Sequence, residues 1–252
     1  MRRIDLNTDT GERPEALRDG SEEDLIRVVT SVNIACGGHA GDRTTMEQTV
    51  RLAKKYGVSI GAHPSYPDRM NFGRLEMNLP VGVISDEVYN QVSALADVCS
   101  SLGAQLVHVK PHGALYNVAV NESSVAMAIA DGVARVSGDL ILVGLANSHM
   151  LSVWSSAGFR VAAEAFVDRA YELDGRLRSR KLAGALISDP HEAARRALSI
   201  LQDGSLAAVD GSKLNLKAET LCIHGDTPNS VVIARTVNEA LRKAGFELRG
   251  FS

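Results

Sequence analysis

The stretch Gln105-Leu-Val-His-Val-Lys-Pro-His-Gly113 decides the fold, because an apolar strand ends abruptly in a knot of polar groups. Gln105 to Val109 reads as the strand and Lys110-Pro-His-Gly113 as its polar end. The segment before it is a helix after Ser85, where Val88, Val92, Leu95, Cys99 and Leu102 step by four, three, four and three residues. Gly103 closes that helix. The segment after it, Asn121 to Val136, again reads as helix. Helix, strand, polar end and helix in this order form the repeating piece of a parallel sheet.

Working outward, the same punctuation recurs. Ile4 to Asn7 reads as a first strand that ends in Asn7-Thr-Asp-Thr-Gly-Glu12, and Ser21 is placed to cap a helix through Leu25, Val28 and Val29. Val32 to Cys36 is the next strand, followed by Gly37-Gly-His-Ala-Gly-Asp42. Asp42 is placed to cap a helix with Met46, Val50 and Ala53 on one face, which Gly57 stops. Val58 to Ala62 runs into His63-Pro64, Leu140 to Leu145 precedes a short helix near Met150 to Trp154, and Arg160 to Phe166 follows. Asp189-Pro-His-Glu192 has the form of a capping box with proline at the first helical position, opening a helix with Ala194, Leu198 and Leu201. Leu221 to Ile223 ends in His224-Gly-Asp226, and Thr227-Pro228 begins the last helix. Asp68 to Pro80 reads as a long polar loop, and Val209 to Lys217 as a small hairpin around Asp210-Gly211.

This pattern predicts an α/β protein, an irregular (β/α) barrel of seven to eight parallel strands forming one domain over residues 1–252. A doubly wound open sheet is the competing arrangement. Polar clusters follow nearly every strand, not only the two beside a switch point, and this favours the barrel. With 252 residues, 45% hydrophobic but only 4% aromatic, the core has to be filled by Val, Ile, Leu and Ala. A net charge of −3 gives no reason to expect nucleic acid or a membrane surface as partner. Met1-Arg-Arg runs directly into the first strand, so no signal region is expected, and no apolar stretch reaches the length of a membrane span. Three widely spaced cysteines, Cys36, Cys99 and Cys222, argue against a disulfide framework and for a reducing, cytoplasmic setting.

Four of the seven histidines, His39, His63, His112 and His224, fall just after strands, where a barrel would point them into one mouth. His108 alternates with them and can equally be an inward layer residue. Asp5, Asp9 and Glu12 alternate with Asn7 in a way no surface strand requires. Carboxylates set near other charges have shifted pKa values suited to proton transfer. Asp42 reads either as a helix cap or as part of the mouth. Asp9, His63 and His112 would suit a divalent metal, although a metal-free site that positions water is equally consistent. Lys110 is suited to a developing oxyanion or a bound anion. Asp168-Arg169, Arg69 and Arg74 add further charged groups. Cys36 ends an apolar strand and is read as core.

Taken together, Asp5-Leu-Asn7 with Gly11-Glu12, Asn33-Ile-Ala-Cys-Gly37, His39-Ala-Gly-Asp42, Gly61-Ala-His-Pro64, Tyr66-Pro-Asp68, Phe72-Gly-Arg74, Lys110-Pro-His-Gly-Ala-Leu-Tyr-Asn117, Phe166-Val-Asp-Arg-Ala-Tyr171 and His224-Gly-Asp226 resemble the LamB/YcsF family. The resemblance runs from Ile4 to about Leu248. It implies a barrel related to the glycoside hydrolase/deacetylase fold. It also implies ATP-dependent hydrolysis of the 5-oxoproline lactam to glutamate, with ADP and phosphate released. The work would be shared with partner subunits B and C, and ATP, with Mg, would be the co-substrate. No ATP-grasping signature is recognisable in the chain, which agrees with nucleotide handling lying partly elsewhere. On this reading Asp9, Glu12, His63, His112, Lys110 and His224 are the catalytic candidates. Asn7, His39, Asp42, Arg74, Tyr116, Asn117, Asp168 and Arg169 are the substrate-binding candidates. The rival readings are a stand-alone metal-dependent hydrolase or deacetylase of a small amide or sugar, and a non-catalytic accessory protein of lactam metabolism.

Overall fold

The computed structural model describes residues 2–252; Met1, expected to lead into the first strand, lies outside the described residues. Strands β1 (Arg2–Thr10), β2 (Ser31–Ala35), β3 (Ser59–His63), β4 (Leu106–Val109), β5 (Ile141–Leu145) and β6 (Val161–Phe166) follow one another around the sheet. The short β7 (Ser205–Ala207) and β8 (Lys213–Asn215) pair antiparallel as a hairpin that turns at the expected Asp210-Gly211 but whose first strand lies before the expected start at Val209. Next, β9 (Thr220–Cys222) pairs in parallel with both β6 and β1 and closes a seven-stranded parallel barrel. An open doubly wound sheet is thereby excluded. A further strand, β10 (Phe246–Leu248), pairs with the N-terminal end of β1, outside the closed ring.

Helices α1 (Pro14–Asp19), α2 (Ser21–Ile26), α3 (Arg43–Tyr56), α4 (Val81–Ser101), α5 (Gly113–Ala119), α6 (Ser123–Ala134), α7 (His149–Ser156), α8 (Pro190–Leu198) and α9 (Ser230–Lys243) cover the outside. Several starts differ from expectation for local reasons. Ser21 lies inside the first turn of α2 and caps nothing, because Gly20 in the left-handed region makes the turn between α1 and α2. Pro80 starts α4 well before Ser85, since proline fits just before a helix where its missing N–H costs nothing. Asp189 does cap α8 by accepting from Glu192 N at 2.7 Å, but Glu192 turns to Arg195 and does not reach back. The last helix begins at Ser230, because the Thr227 hydroxyl is engaged elsewhere, on Asp168.

The period of two along the strands sorts the residues into two environments. Leu6, Val32, Ile34, Ile60, Val109, Leu142 and Leu221 point outward and join the main apolar core beneath the helices. Many of the inward positions are polar. Asp5, Asn7 and Asp9 on β1, Asn33 on β2, His108 on β4 and Glu164 on β6 are all buried and engage one another across the barrel interior. Gly61 permits this filling. A Cβ there would lie 2.1 Å from Nε2 of His108, so only glycine leaves room for that ring. At the floor, Asp5 accepts from Thr30, Ser31 and Thr220. Burial nonetheless lifts its carboxyl to about 6. Below it, Ile141, Val143 and Ala162 pack with Phe251 and seal the N-terminal end of the barrel. No described helix is long and apolar enough to cross a membrane.

Candidate active site

The side chains of interest sit where the strands end. Asp9 is on β1, Glu12 in the turn after it, His39 after β2, His63 at the end of β3, Lys110 after β4 and His112 immediately before α5. Asp168 follows β6 and His224 follows β9.

The deeper group centres on Lys110, which is 2% exposed. Its ammonium donates to Asp9 Oδ1 at 2.9 Å, is paired with Glu164 Oε1 at 2.9 Å, and lies 3.1 Å from Cys222 Sγ. Its three N–H donors are therefore spent on protein atoms. This placement corrects the expectation that Lys110 meets a developing anion directly. It is a buried countercharge that holds Asp9 and Glu164 in place. Burial opposes the charge, but Asp9, Cys222 and Glu164 outweigh it and raise the lysine well above its ordinary value. Burial pushes Asp9 upward, yet His63 and Lys110 beside it hold the carboxyl well below the usual range.

Above this lies a group of four residues, Glu12, His39, His63 and His112, whose ligand atoms lie within 4.8 Å of one another. Glu12 Oε1 is 3.0 Å from His39 Nε2, 3.3 Å from His112 Nδ1 and 3.9 Å from His63 Nε2. The backbone settles which ring nitrogens carry protons. His63 Nδ1 faces the carbonyl of Lys110 at 2.6 Å, and His112 Nε2 faces the carbonyl of Phe72 at 2.9 Å. A carbonyl only accepts, so both of those nitrogens donate. The remaining nitrogens, His63 Nε2 and His112 Nδ1, are 3.0 Å apart with their lone pairs facing. Two bare lone pairs at that distance repel, so the pair needs a proton or a cation between them. Burial holds the His112 and His39 imidazoles well below their ordinary value, His39 at about 2, and lifts the Glu12 carboxyl above its own.

The roof over these rings comes from the long loop between β3 and α4. Phe72 stands edge-on to His39 and His112 at 5.2 and 5.4 Å between centroids. Gly113, at φ +58°, lets the loop come down, since a Cβ there would be 2.4 Å from the Gly73 carbonyl. The turn carrying Glu12 is held from behind by Glu22, which accepts from Gly11 N at 3.0 Å and from Thr49 Oγ1 at 3.3 Å. Burial lifts the Glu22 carboxyl from 4.5 to about 7. Because the folded value is the higher, the penalty is absent below about pH 4.5 and grows until about pH 7. Glu22→Gln, which keeps the acceptor, is therefore expected to match the parent at about pH 4.5 and to be about 3 kcal/mol more stable at about pH 8. Denaturant midpoints at the two pH values check this, and equal midpoints at the higher pH would refute it.

The fourth strand-end histidine, His224, stands apart from the other three. Its Nδ1 lies 3.0 Å from Asp168 Oδ2, and Thr227 Oγ1 donates to the same oxygen at 2.6 Å. His224 shares a second group with Asp9 and Cys222. Glu12 and His39 join His63 and His112 in one donor set, and Asp9 Oδ2 lies beside it, 3.3 Å from His63 Nε2. Two substrate-binding expectations are corrected outright. Asp42 is exposed and caps α3, in a capping box with Thr45. Asn117 is exposed on the outer side of α5. Tyr116, one residue earlier, turns inward and donates to Glu164 Oε2 at 2.9 Å. Asn7 lies a layer lower, donating to Glu164 and Thr220. Arg169 is buried and donates to the Arg178 carbonyl, and Arg74 reaches Asp226 at 2.6 Å. Cys36 is core as expected, its thiol pushed by burial up to about 12. Sequence reasoning missed Glu164, although a lone carboxylate at an inward position of Val161-Ala-Ala-Glu-Ala-Phe166 was a usable signal.

The chain and its barrel have counterparts in known proteins. The LamB/YcsF family profile matches residues 4–252. A protein of Chloroflexus aggregans, named as the A subunit of 5-oxoprolinase, is 47% identical over 99% of both chains. One of the same name from Pyrococcus horikoshii is 43% identical over 98% of this chain and 96% of its own. The solved lactam utilization protein of Thermus thermophilus is 42% identical and superposes with a TM-score of 0.90, covering 99% of this chain and 100% of that one. A solved structure from Enterococcus faecalis V583, named for cellobiose-phosphate cleavage, shares the fold at 17% identity and a TM-score of 0.56.

Proposed function

The chain belongs to the LamB/YcsF family, and from that premise we propose that it is the A subunit of a 5-oxoprolinase, a hydrolase that opens the cyclic amide of 5-oxoproline. The carrying observation is identity of 41–47% to relatives of that name over nearly their whole length, and a buried cluster of one carboxylate and three imidazoles supports it. Ring opening needs water delivered to the lactam carbon and a proton delivered to the departing nitrogen. Glu12, raised by burial and touching two imidazoles, is the base that takes the proton from water. Glu12 then returns that proton to the leaving nitrogen, with His63 and His112 beside its carboxylate. Lys110 is a positioning residue, fixing Asp9 against His63, which it faces at 3.3 Å.

A planar amide is a poor electrophile, and ATP supplies the missing drive by phosphorylating the amide oxygen. One ATP and two waters are consumed for each glutamate, ADP and phosphate. We assign the handling of ATP, with Mg, to the assembly with partner subunits B and C. The donor set also fits a divalent metal held by Glu12, His39, His63 and His112. Each facing nitrogen, His63 Nε2 and His112 Nδ1, belongs to a ring oriented through its other N–H by a backbone carbonyl, as metal-binding histidines are. Such an ion would supply Lewis acidity and a more acidic water.

The test is glutamate release from 5-oxoproline by the chain alone, with ATP, and with ATP plus subunits B and C. Release is expected only in the last. Hydrolysis by the chain alone without ATP would overturn the shared-assembly reading in favour of a stand-alone metal-dependent hydrolase. Elemental analysis of the purified chain and of His112→Ala checks the metal independently of turnover.

A further inference from the structure

Two long loops meet above the buried imidazoles, and a single carboxylate joins them. Arg74, from the loop between β3 and α4, donates to Asp226 Oδ2 at 2.6 Å. Arg180, from the loop between β6 and α8, donates to the same oxygen at 2.8 Å. Each guanidinium carries five N–H donors. Among the described residues neither makes another side-chain hydrogen bond, and Asp226 Oδ1 is buried with no partner. Two forks thus converge on one acceptor with most of their donors unused. Each arginine ties its own loop to Asp226, and one oxygen holds both. Further positive charge stands nearby, where the buried Arg169 is lowered to about 10 by desolvation first and by Arg180 second.

The position of the pair relative to the chemistry is equally specific. The Arg74 guanidinium lies 4.8 Å over the Phe72 ring. That ring is edge-on to His39 and His112, and the carbonyl of the same residue receives His112 Nε2. Asp226 is two residues beyond His224, which shares a group with Asp9. Arg74 thus lies against the same aromatic ring that borders His39 and His112.

We propose that Arg74 and Arg180 form a clamp for the carboxylate of the substrate, with Asp226 spacing and aiming the two guanidinium groups. The proposal rests on the 5-oxoproline reading, because that lactam carries its carboxylate on the carbon beside the ring nitrogen. Charge-assisted forks recognise such a group in a plane. Lactams without a carboxylate are rejected at this point, which makes Arg180 a specificity-determining residue.

Calorimetric binding to the full-length chain tests the clamp separately from turnover. The probes are 5-oxoproline and its carboxylate-free counterpart 2-pyrrolidinone. Arg180→Ala is expected to weaken 5-oxoproline binding by about tenfold to hundredfold and to change 2-pyrrolidinone binding by less than about threefold. Arg180→Lys recovers part of the loss. Arg176→Ala, an exposed neighbour paired with Asp174, changes neither. Unchanged 5-oxoproline binding in Arg180→Ala, equal loss of both probes, or no binding of 5-oxoproline to the parent chain would overturn the clamp. The function reading fails separately: a reconstituted complex that releases no glutamate sinks it, whatever the binding data show.

Discussion

Glu12→Gln is expected to lower kcat for 5-oxoproline hydrolysis in the reconstituted complex by about 10²- to 10⁴-fold, the range that one positioned general base supplies. The substitution keeps shape and volume and leaves an amide oxygen toward His39, so the near-ultraviolet circular dichroism should not change. What it removes is, among the described residues, the only carboxylate within 3.3 Å of both His39 and His112. The pH profile offers a second readout. Burial, the largest influence on Glu12, sets it above the ordinary carboxylate value, while His112 and His63 pull it back. A base must be ionised to work, so activity should fall as pH drops through that raised value, and this acid limb should vanish in Glu12→Gln. A loss smaller than about tenfold would move the base to another residue.

Lys110→Met should produce the largest loss of stability. Methionine fits the space left by the lysine stem, but Asp9 and Glu164, 6% and 0% exposed, lose their shared cation. Breaking a buried pair in this way costs about 3–5 kcal/mol, a fall in Tm of roughly 6–20 °C for a chain of this size. The pH dependence has two sides. Asp9 is depressed in the folded state, so its contribution holds above the unfolded value near 3.8 and is lost as pH falls through the lower folded value. Lys110 is raised, so its contribution is complete below the unfolded value of 10.5 and is lost as pH rises through the folded one. Thermal melts of Lys110→Met, Glu164→Gln and the double variant separate these terms. The double variant should recover part of the loss, because one of the two stranded carboxylates is gone. A Lys110→Met protein that melts with the parent would show that the cation stabilises nothing.

Much of this arrangement is legible in the chain. The alternation of Asp5, Asn7 and Asp9 with Ile4, Leu6 and Thr8 is the period of a strand whose inner face is polar. The histidines at 39, 63 and 112 each follow an apolar run, and in the structure their rings lie together, His39 and His112 stacked at 3.7 Å. Asp42 shows the limit of this kind of reading. A capping position and a mouth position share the same place in the sequence, and only the direction of the side chain separates them. Arg180 and Asp226 were out of reach for another reason. They are 46 residues apart on irregular segments, where no period links one position to the other.

A polar barrel interior, with acids and imidazoles gathered at the strand ends, follows from the order of residues alone. Strand periodicity sets which side a residue faces before any partner is known. Which atoms meet is a matter of how the barrel closes and where its loops descend. Closure of β9 onto β1 brought His224 and Cys222 to Asp9, rather than to the other histidines. The descent of the 64–80 loop set the Phe72 carbonyl on His112 and so turned its bare nitrogen toward His63. Lys110, which looked free at the end of its strand, was drawn into the barrel because two buried carboxylates require a cation.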